Sequence, residues 1–261
     1  MLTLYDIPLS PFAQKVKIAL LEKGLAFDVR PVSFADPPSE LSELNPRAEV
    51  PILVDDLSGD QDGEATAVWD STIILDYLED RYPEPTLWPE SPAERARVRE
   101  FEEVCDTHFD AVNWGVYEVT YFNRAEGDEA TAMLDAARSQ LWGLYAYLER
   151  QLETREWLNG DAFGRGDLAA HPFVSASWAM FHKTADDTPL ARWLGRCREL
   201  ASIQRVREEV RTFLQEQRGA PVGRRRTYRG YRLDWMMRSG GRAVVERGIE
   251  ADTIAFSSEI D

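Results

Sequence analysis

The chain is poor in the residues from which metal sites and disulfide scaffolds are built. Two cysteines, Cys105 and Cys197, and three histidines, His108, His171 and His182, are scattered through 261 residues. They form no CxxC pair and no Cys/His cluster, so metal-ligand spacing is missing and a disulfide framework is disfavoured. A reducing compartment fits, and a cytoplasmic location is expected. No apolar run approaches the ~20 residues that a membrane helix needs. The opening Met1-Leu2-Thr3-Leu4-Tyr5-Asp6 lacks a basic stretch followed by an apolar one, and it reads as a strand rather than a signal peptide. Basic charge is also scarce: 30 Lys and Arg stand against 46 Asp and Glu, a net charge of −16. Such a surface repels phosphate backbones and argues against a nucleic-acid partner. What remains is 44% hydrophobic and 29% charged, enough to bury a core, over a length that suits one large domain or two ordinary ones.

The first 82 residues alternate strand and helix signals. Leu2 to Tyr5 is a short apolar strand that Pro8 and Pro11 end. Phe12 to Glu22 has helical periodicity, with Lys15, Lys17 and Glu22 away from the apolar positions, and Gly24 stops it. Phe27 to Val32 reads as a strand, Ser39 to Leu44 as a short helix, and Ile52 to Val54 and Ala65 to Trp69 as paired strands. Asp70 to Arg81 closes the unit as a helix. The order βαβ-α-ββα predicts a small mixed sheet covered by helices, an α/β unit. Prolines 83, 85, 89 and 92 mark a linker over 83–91. Residues 92–218 carry long 3.6-residue periods (Ala93 to Asn113, Glu129 to Gln151, Asp167 to Phe181) and predict an all-α helical bundle. An extension, 219–261, holds a basic knot of Arg224, Arg225, Arg226, Arg229 and Arg232 interleaved with Tyr228 and Tyr231, then a short helix over Leu233 to Arg238. Pairing with the acidic body is its plain reading; a lid or a dimer contact is the sharper one.

Three short motifs carry chemistry. Ser10-Pro11-Phe12 puts a serine cap and an N1 proline at the positive end of a helix. Val50-Pro51 opens a strand with a proline, where a ladder donor is not needed. Asp70-Ser71 begins the last helix of the first half, so free N–H groups and a hydroxyl meet an anion while the carboxylate suits an ammonium. Taken one at a time, each is as readily an ordinary cap or turn.

In combination and order, Ser10-Pro11-Phe12, Lys15-Val16-Lys17-Ile18-Ala19-Leu20, Asn45-Pro46, Val50-Pro51 and Asp70-Ser71 resemble the glutathione transferase superfamily, with the N-terminal motif nearest to tau-like, serine-type sequences. Leu158-Asn159-Gly160-Asp161 and the run from Phe163 to Ala169 resemble the helix-capping motif of its second domain, with Gly164 where the family usually has Ser or Thr; a weaker cap is expected there. The resemblance implies a thioredoxin-like domain followed by a helical domain, glutathione as cosubstrate, a hydrophobic electrophile and a homodimer.

Residue by residue, the resemblance implies that Ser10 activates the thiol as the catalytic residue. Phe12, Val50, cis Pro51, Asp70 and Ser71 would bind glutathione: the Val50 backbone its cysteinyl part, Asp70 and Ser71 its γ-glutamyl end. Pro8, His108, Phe109, Trp114 and Tyr117 are candidates for the electrophile pocket, with Tyr121, Trp178 and Phe181 as additions. One departure stands out: Glu49 precedes Val50 where relatives carry Lys or Gln near the glycyl carboxylate, which leaves Arg47 or Lys15 as the nearby cations. The chemistry can close without a general base. Lowering a thiol of pKa ~8.5 by ~2 units needs about 2.7 kcal/mol. A hydrogen bond to a charged group contributes roughly 1.5–3 kcal/mol, and a helix terminus about 0.3–1 kcal/mol. The expected activity is detoxifying glutathione transfer; a β-etherase, dehalogenase or isomerase using glutathione, or a binding module on the same fold, are the alternatives.

Overall fold

The computed structural model describes residues 1–33, 37–56, 65–181, 187–216 and 226–256. Its first half follows the predicted order: β1 (Leu2–Asp6), α1 (Pro11–Glu22), β2 (Phe27–Pro31), α2 (Glu40–Leu44), β3 (Ile52–Asp55), β4 (Thr66–Trp69) and α3 (Ser71–Arg81). The sheet order is β2-β1-β3-β4. β1 runs parallel to β2 and antiparallel to β3, and β3 is antiparallel to β4. This is the mixed thioredoxin-like sheet that the βαβ-α-ββα order calls for. Gly24 takes φ +64° just past α1, a conformation in which a β-carbon would be strained.

Helix α1 is more buried than its charges suggest. Lys15 and Lys17 are both nearly inaccessible, so the expectation of a polar face there is corrected. Each lysine is buried because it meets carboxylates: Lys17 bonds Asp6 and, at 2.6 Å, Glu209, while Lys15 bonds Glu102 at 2.8 Å and Asp106 at 2.7 Å. A buried ammonium is tolerated only when paired in this way.

The second half is helical: α4 (Pro92–Val104), a π-helical turn (Cys105–Phe109), α5 (Asp110–Thr120), α6 (Gly127–Leu152), α7 (Arg165–Phe181), α8 (Pro189–Glu199) and α9 (Ala201–Glu216). The two halves share their cores. Val16, Ile18 and Leu20 of α1 cluster with Leu168 of α7 and Ile203 of α9. Phe12 meets Phe173 edge-on with ring centres 5.3 Å apart. Asp167 is the hub of the second half. Its carboxylate accepts from the backbone N–H groups of Leu158 (2.7 Å), Asn159 (3.2 Å) and Gly164 (3.1 Å) and from the Trp193 indole (2.8 Å). The expectation of a weakened cap misses why glycine stands there: a β-carbon at Gly164 would collide with the Asn159 side chain and the Leu87 carbonyl. The missing hydroxyl is offset by four bonds on one carboxylate.

The extension is a folded unit. β5 (Arg226–Tyr228) pairs in parallel with β6 (Ile254–Phe256), and α10 (Gly230–Arg238) and α11 (Arg242–Glu250) lie between them. Arg224 and Arg225 of the basic knot lie outside the described residues. The remaining arginines pair with the body as their charge predicts: Arg226 with Glu118 at 2.9 Å, Arg229 with Glu49 at 2.7 Å, and Arg232 with both oxygens of Asp110 at 2.6 and 3.0 Å. Trp235 of α10 sits directly on Gly115 of α5 and donates to Gln140 at 2.7 Å. No helix among the described residues is long and apolar enough to cross a membrane.

Candidate functional site

Two cavities meet at the seam between sheet, helices and extension. The larger holds about 1150 Å³, the smaller about 370 Å³. Phe12, Arg47, Glu49, Val50 and Arg229 line both, and so form the passage between them.

Ser10 faces the larger cavity. It caps α1: its hydroxyl oxygen accepts from the Ala13 N–H at 3.4 Å, and Pro11 follows at the first helical position. A hydroxyl has one donor and two acceptor sites, so accepting from Ala13 leaves its proton available. Val50 stands in the passage. The Val50–Pro51 bond is cis, and no hydrogen bond among the described residues engages the Val50 backbone. An amide free at a cavity wall is a ready partner for a peptide-like ligand.

Pro51, Asp70 and Ser71 line the smaller cavity. Asp70 caps α3, accepting from the Thr72 N–H at 3.1 Å, and holds φ at +72°, a conformation that a non-glycine residue rarely adopts. Ser71 sits at the first turn of α3, where its hydroxyl and the helix N–H groups favour an anion. Arg47 stacks over Trp69 at 4.7 Å and lies 3.7 Å from Asp70. The smaller cavity thus offers a carboxylate, a helix N-terminus and a guanidinium within one space, a set matched to an amino acid's ammonium and carboxylate.

Beneath it lies a charged cluster in which Lys15 and Arg165, each within a motif run, meet acids that no motif contains. Lys15 joins Glu102 and Asp106, Arg165 bonds Glu102 at 2.9 Å and also Asp76, and Thr72 donates to Glu102 at 3.0 Å. Burial pushes both carboxyls up, but Lys15 and Arg165 together hold Glu102 down to about 2. Asp106 shares only Lys15, so burial wins and raises it to about 6. Asp106 reaches the smaller cavity from the π-helical turn. Lys15 is committed to this cluster and fully buried, which removes it as a cation for the glycyl end.

The predicted electrophile pocket divides. Trp114 and Tyr117 line the larger cavity, and burial pushes the Tyr117 phenol up to about 12. Pro8, His108 and Phe109 are not among its lining residues. His108 is exposed, and Phe109 is in the core beside Tyr145, ring centres 6.1 Å apart. The reason is the π-helical turn, which carries an extra residue and rotates this pair out of register with α5. Trp178 packs on Tyr145 at 5.5 Å and Phe181 lies under Arg138, both away from the cavity. Trp114 is also less free than an aromatic wall would be: Arg226 and Arg232 each sit 3.8 Å from its ring centre. Sequence reasoning missed Arg226, Arg229 and Arg232 as cavity residues. Their basic pattern was visible; their destinations were not.

Residues 4–86 match the family model for the glutathione S-transferase N-terminal domain. The chain is 32% identical over 176 residues to FtsZ-localized protein A of Caulobacter vibrioides, covering 66% of this chain and 75% of that protein. It is 29% identical over 166 residues to glutathione S-transferase GstB of Escherichia coli, covering 62% and 75%. It also superposes with a TM-score of 0.62 on a glutathione S-transferase of Methylobacterium radiotolerans solved with glutathione sulfonate, at 28% identity and over 78% of this chain and 93% of that one. Sheet order, capping hub and these similarities together place the chain in the glutathione transferase superfamily.

Proposed function

We propose that the chain binds glutathione across the two cavities and presents its thiolate to an apolar electrophile in the larger one. One observation carries this reading: the residues for the three parts of glutathione fall in spatial order along one passage. Asp70 and Ser71 line the smaller cavity, Val50 lines both, and Ser10 lines the larger. A γ-glutamyl group held at the start of α3 and a cysteinyl part paired with Val50 would direct the sulfur toward the start of α1. There the thiol proton leaves to solvent, and the Ser10 hydroxyl and the helix terminus stabilise the sulfur anion. The thiolate then forms a carbon–sulfur bond, and the leaving group departs with its electron pair. Asp106 adds a second carboxylate near the ammonium of the γ-glutamyl end. Arg229 neutralises Glu49 at the passage, which answers the repulsion expected between that glutamate and the glycyl carboxylate.

The similarity to FtsZ-localized protein A, a protein named for a location rather than a reaction, favours a second reading in which the fold serves an interaction. Calorimetric titration with glutathione, followed by ultraviolet titration of the bound thiol, separates the two. Saturable binding with a bound thiol pKa below that of free glutathione is expected. Absence of binding at millimolar glutathione would leave the interaction reading.

A further inference from the structure

The larger cavity is built for more than an apolar guest. Its floor is apolar, with Ile7, Leu9, Phe12, Tyr117 and Met180. Six arginines nevertheless line it: Arg47, Arg207, Arg211, Arg226, Arg229 and Arg232. Against them stand three lining carboxylates, Glu49, Asp110 and Glu208. A chain of net charge −16 gathers positive charge here and not on its surface at large.

The donors are not all used. Arg232 spends its guanidinium on Asp110 and on the Thr227 carbonyl, and Arg211 pairs with Glu208. Arg226 is 6% exposed, clamped between Trp114 and Phe122 at 3.8 and 3.3 Å from their ring centres, and bonded to Glu118 through Nε. Its Nη2 is buried and enters no hydrogen bond. Burial lowers the Arg226 guanidinium to about 10 despite Glu118. Arg229 likewise has a buried Nε without a partner. Arg207, on α9 at the rim, has no acidic partner among the described residues and faces the positive charge of Arg198. Buried donors without acceptors are rare because each costs about 1–3 kcal/mol unless something meets it. Two of them at one apolar cavity, Arg226 Nη2 and Arg229 Nε, with Arg207 exposed at its rim, point to an acceptor that arrives with the ligand.

We infer that the larger cavity selects an amphipathic anion, an apolar body carrying one carboxylate or sulfonate, whose acid group is met by Arg207, Arg226 and Arg229. This rests on the glutathione reading only for its chemistry, since the anion would be the electrophile's own acid group; the binding preference stands without it. The extension therefore acts as a selectivity wall. It brings Arg226 and Arg229 to a cavity to which the two domains alone would present the carboxylates of Glu49 and Asp110.

Two fluorescent probes that differ by a sulfonate test this without glutathione: anilinonaphthalene sulfonate and N-phenylnaphthylamine. The intact chain should bind the sulfonate at least tenfold more tightly, although its net charge opposes an anion. Arg207→Gln, an exposed change, or Arg229→Gln should weaken the sulfonate several-fold and leave the neutral probe unchanged. Equal affinity for the two probes in the unmodified chain would overturn the inference, and so would a sulfonate preference that neither variant reduces. If the sulfonate is preferred but glutathione does not bind, the glutathione reading fails and the cavity assignment survives.

Discussion

Replacing Ser10 by alanine separates a helix cap from a thiol-activating group. In the structure the hydroxyl oxygen accepts from Ala13 N–H at 3.4 Å, a long bond. Losing a cap costs about 0.5–2 kcal/mol; the long bond and the retained Pro11 place Ser10→Ala near the low end, about 0.5 kcal/mol. The same hydroxyl donating to a thiolate contributes roughly 1.5–3 kcal/mol, equivalent to about 1–2 pKa units. The α1 terminus survives the substitution, so its share of roughly 0.3–1 kcal/mol remains. The bound thiol should therefore titrate about 1–2 units higher in Ser10→Ala. Turnover at neutral pH should fall about ten- to hundredfold, with almost no change in unfolding midpoint. The assay is thiolate absorbance of bound glutathione against pH, with denaturant unfolding in parallel. If the thiol titrates at the same pH in both proteins, Ser10 only caps the helix and the catalytic assignment is wrong.

Three further substitutions probe other parts of the construction. Glu49→Gln should weaken glutathione binding about three- to tenfold, or ~0.7–1.4 kcal/mol, because it releases Arg229 from the position Glu49 holds it in at the glycyl end; calorimetry reads it, and tighter binding would show that Glu49 only repels that end. Gly115→Ala drives a methyl group into the Trp235 ring, so it should destabilise the chain by about 1–3 kcal/mol, and limited proteolysis should cut first within the extension. His171 is buried with both ring nitrogens unpartnered, and burial, with Arg207 and Arg198, lowers it to about 3. A histidine depressed in the folded state stabilises fully above its unfolded pKa of ~6.5 and loses that contribution as pH falls toward 3; His171→Leu should thus keep its stability at pH 7 and show a flatter acid limb in denaturant unfolding.

The first half was legible where its helices end on residues with a local reason: Pro11 at the start of α1, Gly24 at its end, Asp70 at the start of α3. Helices α6 and α7 were legible for a different reason, the 3.6-residue period of their apolar residues. The electrophile pocket was only half legible. Aromatic residues mark the stretch His108 to Tyr121, but composition names a stretch and not a face. A 3.6-residue reading of Ala93 to Asn113 runs straight through the π-helical turn that turns Phe109 into the core. Lys15 read as a surface charge because its partners, Glu102 and Asp106, lie 87 and 91 residues away. The extension fared likewise: its excess of arginine announced pairing, while the acids it found are 108 to 180 residues distant.

The Glu49–Arg229 pair shows why a site should be judged with the whole chain in view. Taken within the first half, Glu49 is a fault, an acid where an anionic ligand end is expected. Taken with the extension, it is the anchor that fixes a guanidinium in the passage between the two cavities, with Tyr231 and the Phe12 ring on its other sides. The two readings differ in what happens when both residues change. If Glu49 were a fault that Arg229 merely repairs, Glu49→Gln with Arg229→Gln would bind glutathione as the unmodified chain does. If Arg229 is a binding group that Glu49 orients, the double variant would bind as poorly as Arg229→Gln alone, and the two substitutions would be strongly non-additive. The unpartnered Nε favours the second outcome, because a guanidinium recruited only to cancel one carboxylate has no reason to leave a buried donor unmet.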